Sequence, residues 1–410
     1  MLTNYMKAST KLHKQLVLKS KWMYNIYYFF YFFGVGSFLP LYVIYLRREL
    51  GFSEGQTGLI QSILPLVLII SQPIWGIIND RYNASTKIIV SALIMLGITE
   101  VFVFTNDQFY LMVIFTIVFG VFNFAISPIQ DGLSVLFSKR YNYKFGSIRI
   151  FGSIGWATAT FVSGIAVDKY GYSSIMYLSG VSYLIAILLF LKVKKVRRKK
   201  RKEKTISKYG HIADIFKNKV FITFLIFASI SVGVLNAVPF FYGMKLEDLD
   251  ATEQFIGFMN TLMVSTEIVT MFILILLKDK FKDFTLLLFA IITQIPTIII
   301  LMFVDQPEEL NILIIIAILR GFYQGLFIPL IINYIASIVK EEEVSTGIML
   351  NSAIALGFMN WLTTLVGGYL VEWYSYSLVF IIILGFVFTS LIFAIHLNRK
   401  KKKQMKANLN

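Results

Sequence analysis

The chain has 410 residues, of which 57% are hydrophobic and 15% charged, with a formal net charge of +16 and a mean hydropathy of +0.71. A soluble core cannot hide that much apolar surface, and the apolar runs reach the ~20 residues that cross a bilayer, so a soluble enzyme is excluded. With no cysteine there is no disulfide framework, thiol nucleophile or cysteine metal site, and a basic excess beside apolar helices points to anionic lipid headgroups rather than to nucleic acid.

In chain order, an N-terminal arm over 1–21 carries Lys7, Lys11, Lys14, Lys19 and Lys21 and has neither the short apolar core nor the small-residue cleavage site of a secretory signal. Apolar runs then predict helices at 22–45, 57–78, 88–104, 109–136, 147–167 and 174–193, which make up a first six-helix bundle over 22–193. A basic linker over 194–218 holds Lys194, Lys195 and the run from Arg197 to Lys202. Six more helices are predicted at 220–243, 255–277, 284–303, 310–338, 346–371 and 377–397, forming a second bundle over 219–397. A basic tail over 398–410 follows, with Arg399 to Lys403. Helices are the economical choice because each span must satisfy its own backbone polar groups in lipid. The fold class expected is an all-α integral membrane protein with twelve transmembrane helices.

Lys and Arg fall mainly in the arm, the linker and the tail, which places all three, and both termini, on the cytoplasmic side of a cell membrane. Alternate loops hold acidic groups instead, such as Glu247, Asp248, Asp250 and Glu253, and Asp305, Glu308 and Glu309. Lys340 is on the cytoplasmic side too, followed there by Glu341, Glu342 and Glu343, which count little in the rule.

Laid on itself with a shift of 199, the chain matches Pro40 with Pro239, Ser53-Glu54 with Thr252-Glu253, Gly58 with Gly257, Gln61 with Asn260 and Asp80-Arg81 with Asp279-Lys280. A shift of 204 matches Ser163-Gly164 with Gly367-Gly368, Asp168 with Glu372 and Tyr172-Ser173 with Tyr376-Ser377. Caps, glycines and prolines recurring in order predict two pseudo-symmetric six-helix halves.

Four ionisable residues interrupt the predicted spans: Asp131, Arg149, Glu267 and Arg320. A charge in hydrocarbon costs at least a few kcal/mol, so such groups face a cavity or one another. Glu267 and Arg320 fall about mid-span, where a carboxylate can carry a proton between the two sides and an approaching guanidinium can control it. A structural Glu267–Arg320 pair is the alternative. Asp131, Arg149 and Trp156 combine a hydrogen-bond acceptor, a forked donor and an apolar ring, the chemistry of a sugar clamp. The alternatives are a structural Asp131–Arg149 charge pair and a Trp156 that only packs. Gly146, Gly152 and Gly155 permit close helix approach along the same helix. Tyr31, Gln61 and Asn260 are the foremost further solute contacts; as alternatives they make helix-to-helix hydrogen bonds. His13, His211 and His396 fall near helix ends or in loops and form no metal site.

Two parallel six-helix repeats with a long charged middle loop resemble the major facilitator superfamily, over about residues 20–398. The resemblance implies a central cavity between the halves, which rock to expose it to either side. Gly76, Asp80, Arg81 and Lys87 resemble the superfamily's loop motif, with Asp279 and Lys280 in a weaker second copy, and imply a gate or scaffold. The glycine expected after Arg81 is replaced by Tyr82-Asn83-Ala84. The aromatic run from Tyr27 to Tyr45, the stretches Gln72-Pro73-Ile74-Trp75-Gly76 and Ser127-Pro128-Ile129-Gln130-Asp131-Gly132, and the segment from Phe145 to Trp156 are similar to the lactose permease and phenylpropionate permease-like branches. By that resemblance Asp131 is the sugar-binding carboxylate, Arg149 its guanidinium partner and Trp156 the stacking ring. Glu267 matches an acidic position of both branches. The histidine of the lactose permeases' proton site aligns with Arg320, the next glutamate with Tyr323, and their helix-nine arginine has no counterpart near Gln294 to Pro296, so lactose-type coupling is not carried over.

Proton-coupled uptake of a sugar or another small organic solute is therefore the expected function, with proton-driven export of drugs or metabolites as the alternative. The drug antiporters' proline in helix five is absent between Gly152 and Gly164. A membrane-embedded enzyme or flippase lacks a catalytic cluster or a phosphate-binding glycine loop, so no enzyme activity, cofactor or nucleotide is expected, and no obligatory protein partner is evident.

Overall fold

The computed structural model describes residues 2–193, 215–277, 280–340 and 343–407. Most of the linker, residues 194–214 with His211, lies outside them, as does Asp279. Twelve helices are long and apolar enough to cross a membrane: α1 (Val17–Glu49), α2 (Glu54–Asn79), α3 (Ser85–Phe104), α4 (Phe109–Tyr141), α5 (Gly146–Tyr170), α6 (Ser173–Lys192), α7 (Lys219–Asp248), α8 (Glu253–Leu274), α9 (Asp283–Phe303), α10 (Pro307–Ala336), α11 (Thr346–Trp373) and α12 (Tyr376–Ile395). No strand occurs among the described residues. The twelve predicted spans all form, and the main difference is length: α1, α4 and α7 run on by about a turn through charged residues at their ends.

Local chemistry sets several ends. Asn218 caps α7 by accepting from the backbone N–H groups of Val220 (3.0 Å) and Phe221 (3.2 Å) while its amide donates to the Ile338 carbonyl (2.8 Å). Asn142 ends α4 in a left-handed conformation, φ 57°. Three helices contain π-helical turns, at Tyr45–Glu49 in α1, Ser229–Gly233 in α7 and Ser352–Met359 in α11. The last two pack on each other, with Gly233 set against the Ala355 backbone and the Met359 side chain.

The chain divides into two compact units. The first holds residues 1–41 and 70–202, and the second 42–69 and 203–410, so α1 and α2 are each divided between them.

In the first unit, α1 is tied to α5 by glycines. A β-carbon on Gly155 would collide with the Phe29 carbonyl, one on Gly152 with the Phe32 ring, and one on Gly36 would lie 3.1 Å from the Trp156 backbone. Gly146, expected to serve the same contact, has open space beside it and marks the helix start. In lipid, where no hydrophobic force drives helix association, such backbone approach supplies the packing. Phe38 adds an aromatic contact with Phe119 at 4.9 Å. On α6, Leu184 and Leu188 are exposed, as suits lipid-facing positions.

In the second unit the same device joins α8 to α10. Gly321 and Gly325, four residues apart and hence on one face, press against the backbone of Met263 and Glu267. Gly58 of α2 meets Gly368 of α11, each placing a would-be β-carbon within 2.9 Å of the other's backbone.

Candidate functional site

In the first unit α1, α4 and α5 assemble a polar cluster. Tyr28 donates to Asp131 Oδ1 at 2.7 Å, and Asp131 remains half-buried. The Arg149 guanidinium lies 4.4 Å from the centre of the Phe32 ring, a cation–π contact. Asp131 and Arg149 are close enough to influence each other electrostatically, yet no ion pair joins them among the described residues. Trp156, two turns beyond Arg149 on the same face of α5, is half-buried, with its backbone against Gly36. Tyr31 is 2% exposed and its hydroxyl is already used: it donates to Asn123 Oδ1 at 3.2 Å and lies 3.4 Å from Ser127 Oγ. In this conformation Tyr31 joins α1 to α4. Beside the cluster, Gln130 is fully buried with neither amide atom hydrogen-bonded, and the Tyr27 hydroxyl is likewise unpaired.

In the second unit Glu267 is half-buried on α8, and Arg320 on α10 is completely buried. Gly321 brings the two backbones together, but the guanidinium does not turn to the carboxylate with its forked edge. Arg320 Nη1 donates to Gln294 Oε1 at 3.4 Å, while Nε and Nη2 have no hydrogen-bond partner. Gln294 is fixed in turn by donating from Nε2 to the Leu319 carbonyl at 3.1 Å. Tyr323, one turn along α10, and Tyr242 on α7 lie within electrostatic reach of Arg320, and both hydroxyls are buried and unpaired. Gln61 also has a buried, unpaired Nε2. The Asn260 amide donates to its own helix, to the Ile256 carbonyl at 3.0 Å.

The loop-motif residues sit at the surface. Arg81 is exposed with its guanidinium 5.5 Å from the Tyr82 ring centre, Lys87 and Lys280 are exposed, and Gly76 has open space beside it. The Asp80 side chain lies outside the described ones.

Two charged constellations escaped the reading of the sequence. Glu100 on α3 is wholly buried and accepts from Ser179 and, at 2.7 Å, from the Tyr183 hydroxyl, both on α6. It falls inside the span predicted at 88–104, yet it was not singled out there among the charged residues of the apolar runs. In the second unit, Arg47 binds Glu54 (2.7 Å), Glu247 (2.9 Å) and Asp248 (2.8 Å), and Arg48 binds Glu253 (2.7 Å). Lys245 pairs with Asp305. The alternation of Arg47 and Arg48 with an acidic stretch at 247–253 was visible, but only a folded chain shows that they meet.

Comparison with known proteins agrees with this architecture. The chain is 27% identical over 357 residues to the uncharacterized transporter YwbF of Bacillus subtilis (strain 168), covering 87% of this chain and 88% of the relative. It is 26% identical over 361 residues to the maltose permease of Geobacillus stearothermophilus, covering 88% and 90%. Among solved structures, the nucleoside transporter NupG superposes with a TM-score of 0.79 at 17% identity, covering 93% of this chain and 98% of that one, which is a likeness of fold. The MFS_1 like family model matches residues 21–382, so the chain belongs to that family of the major facilitator superfamily and is a multi-pass secondary transporter, not an enzyme.

Proposed function

We propose that this transporter takes up a sugar or another small organic solute together with protons. The observation that carries the reading is the array of Asp131, Arg149 and Trp156 on α4 and α5, an acceptor, a forked donor and an indole presented by one unit. The similarity to a maltose permease favours the same class of solute. Glu267 is the proton carrier: a carboxylate about half-way along a membrane helix is costly unless it serves transport. The halves that alternate are the bundles over 22–193 and 219–397, with Gly76, Asp80, Arg81, Lys87, Asp279 and Lys280 as gate or scaffold. Both termini face the cytoplasm of a cell membrane, and the basic arm, linker and tail lie against anionic lipid.

The test is external pH in a lightly buffered suspension of deenergised cells expressing the chain, pulsed in turn with disaccharides, monosaccharides, nucleosides and aromatic acids. Alkalinisation by one class, absent in Glu267→Gln, is the expected result. Silence across the panel with dye efflux from energised cells would replace uptake with export.

A further inference from the structure

The completely buried guanidinium of Arg320 has a chemistry that the sugar clamp and the proton carrier leave unused. Nη1 is engaged by Gln294, whereas Nε and Nη2 are not engaged at all. Those two nitrogens share one edge of the planar group and present a pair of nearly parallel N–H bonds, the edge that receives both oxygens of a carboxylate. The surroundings are of one kind. Tyr242 and Tyr323 supply two further buried hydroxyls without partners, and the hydrogen-bond acceptor in place is Gln294 Oε1, already facing Nη1. The two guanidinium nitrogens can only donate and the two hydroxyls can donate as well, which suits a ligand that only accepts, as an ionised carboxylate does. A neutral hydroxyl must also donate. Among the described residues this buried guanidinium makes no ion pair, an expensive arrangement in a membrane, which argues that a counter-ion arrives during the cycle. The Glu267 backbone packs on Gly321, but Nε and Nη2 make no hydrogen bond to its carboxylate.

We propose that Arg320, flanked by Tyr242 and Tyr323, is the binding post for the carboxylate of a small organic acid, so that the solute of this chain carries an acid group. The proposal rests on the transporter reading and narrows its solute class. It does not depend on proton coupling.

Binding to the purified full chain in lipid nanodiscs tests it, by calorimetry with matched probes: glucuronate against glucose, galacturonate against galactose, and 3-phenylpropionate against 3-phenylpropanol. At least one acid is expected to bind about ten- to a hundred-fold more tightly than its neutral twin, roughly the net worth of one charge-assisted hydrogen bond. Arg320→Lys, which keeps the charge and loses the fork, should remove most of that preference. If Arg320→Lys does not yield monodisperse protein, the Tyr242→Phe/Tyr323→Phe double variant serves instead, with a several-fold loss expected. Equal binding of the twins, an acid preference untouched by these substitutions, or no binding of any acid at millimolar concentration would overturn the proposal. Acid binding without solute-driven alkalinisation would leave it standing and remove the symport reading.

Discussion

Arg47→Ala tests whether the charge cluster at the end of α1 holds one conformation of the transport cycle. The substitution removes three charge-assisted hydrogen bonds of 2.7–2.9 Å, to Glu54, Glu247 and Asp248. The side chains involved are 13–30% exposed, neither free in solvent nor in the core. A single bond of this kind nets about 1.5–3 kcal/mol when well shielded. Partial exposure lowers each contribution, while the mutual repulsion of three uncompensated carboxylates adds to the loss. The clasped conformation should therefore lose about 2–3 kcal/mol, a shift of about 30- to 150-fold in its population. Because the chain contains no cysteine, a single Gln61→Cys reporter on α2 reads that shift cleanly through its rate of reaction with a membrane-permeant maleimide. The rate should rise at least ~30-fold in Arg47→Ala, and 1 M salt, with a screening length of about 3 Å, should raise it in the parent as well. Arg47→Ala and Glu247→Gln should be non-additive by about 1 kcal/mol or more. Unchanged labelling, with additive effects on thermal stability, would show that these ion pairs decorate the surface and hold nothing.

Gly155→Leu should abolish folded protein in a detergent-solubility assay, since its side chain must displace the α1 backbone at Phe29, at a cost of about 1–3 kcal/mol or more; Gly146→Ala, in open space, should be silent. Glu100→Ala leaves the buried Tyr183 hydroxyl without its acceptor and should destabilise the first unit by about 1–3 kcal/mol in thermal unfolding, whereas Glu100→Gln, which retains an acceptor oxygen, should cost less. Asp131→Asn and Trp156→Ala should each reduce uptake of the preferred solute at least ~10-fold, about 1.4 kcal/mol of lost binding, measured as initial rates in proteoliposomes. Tyr31→Phe should lower thermal stability by about 1 kcal/mol through loss of its bond to Asn123 and change solute affinity little.

The twelve helices were legible because bilayer crossing imposes a length and an apolar composition that few other constraints disturb. Their ends were less so. A span ended by charge at residue 45 continues to Glu49 in the structure because Arg47 finds carboxylates that let it stay helical. Glu100 was hidden for the related reason that hydropathy averages over neighbours and does not see Ser179 and Tyr183 on another helix. The glycines at 152 and 155 announced a close contact correctly, since the lack of a side chain is readable without knowing the partner. Gly146, identical in composition, makes none, because whether a glycine faces a helix or open space depends on rotation about the helix axis.

The pairing of Glu267 with Arg320 illustrates the limit at the site. Glu267 and Arg320 lie about midway along α8 and α10, and Gly321 and Gly325 bring these helices into contact, yet position and contact leave the direction of a long side chain undetermined. Arg320 spends Nη1 on Gln294, a residue whose position in the sequence announces no such role. That choice separates the two kinds of recognition proposed for the chain. In the first unit the carboxylate of Asp131 is steadied by Tyr28 and the guanidinium of Arg149 by Phe32, leaving an acceptor, a donor and the ring of Trp156 for a solute with hydroxyls. In the second unit Arg320, Tyr242 and Tyr323 offer unpaired donors. Matched acidic and neutral solutes therefore respond differently to substitution. Arg320→Lys should weaken glucuronate and leave glucose unchanged, whereas a substitution that only loosens the second unit should weaken both in proportion. Equal losses for the acid and its neutral twin would mean that Arg320 serves a structural network, and the reading of its free edge as a carboxylate site would fail.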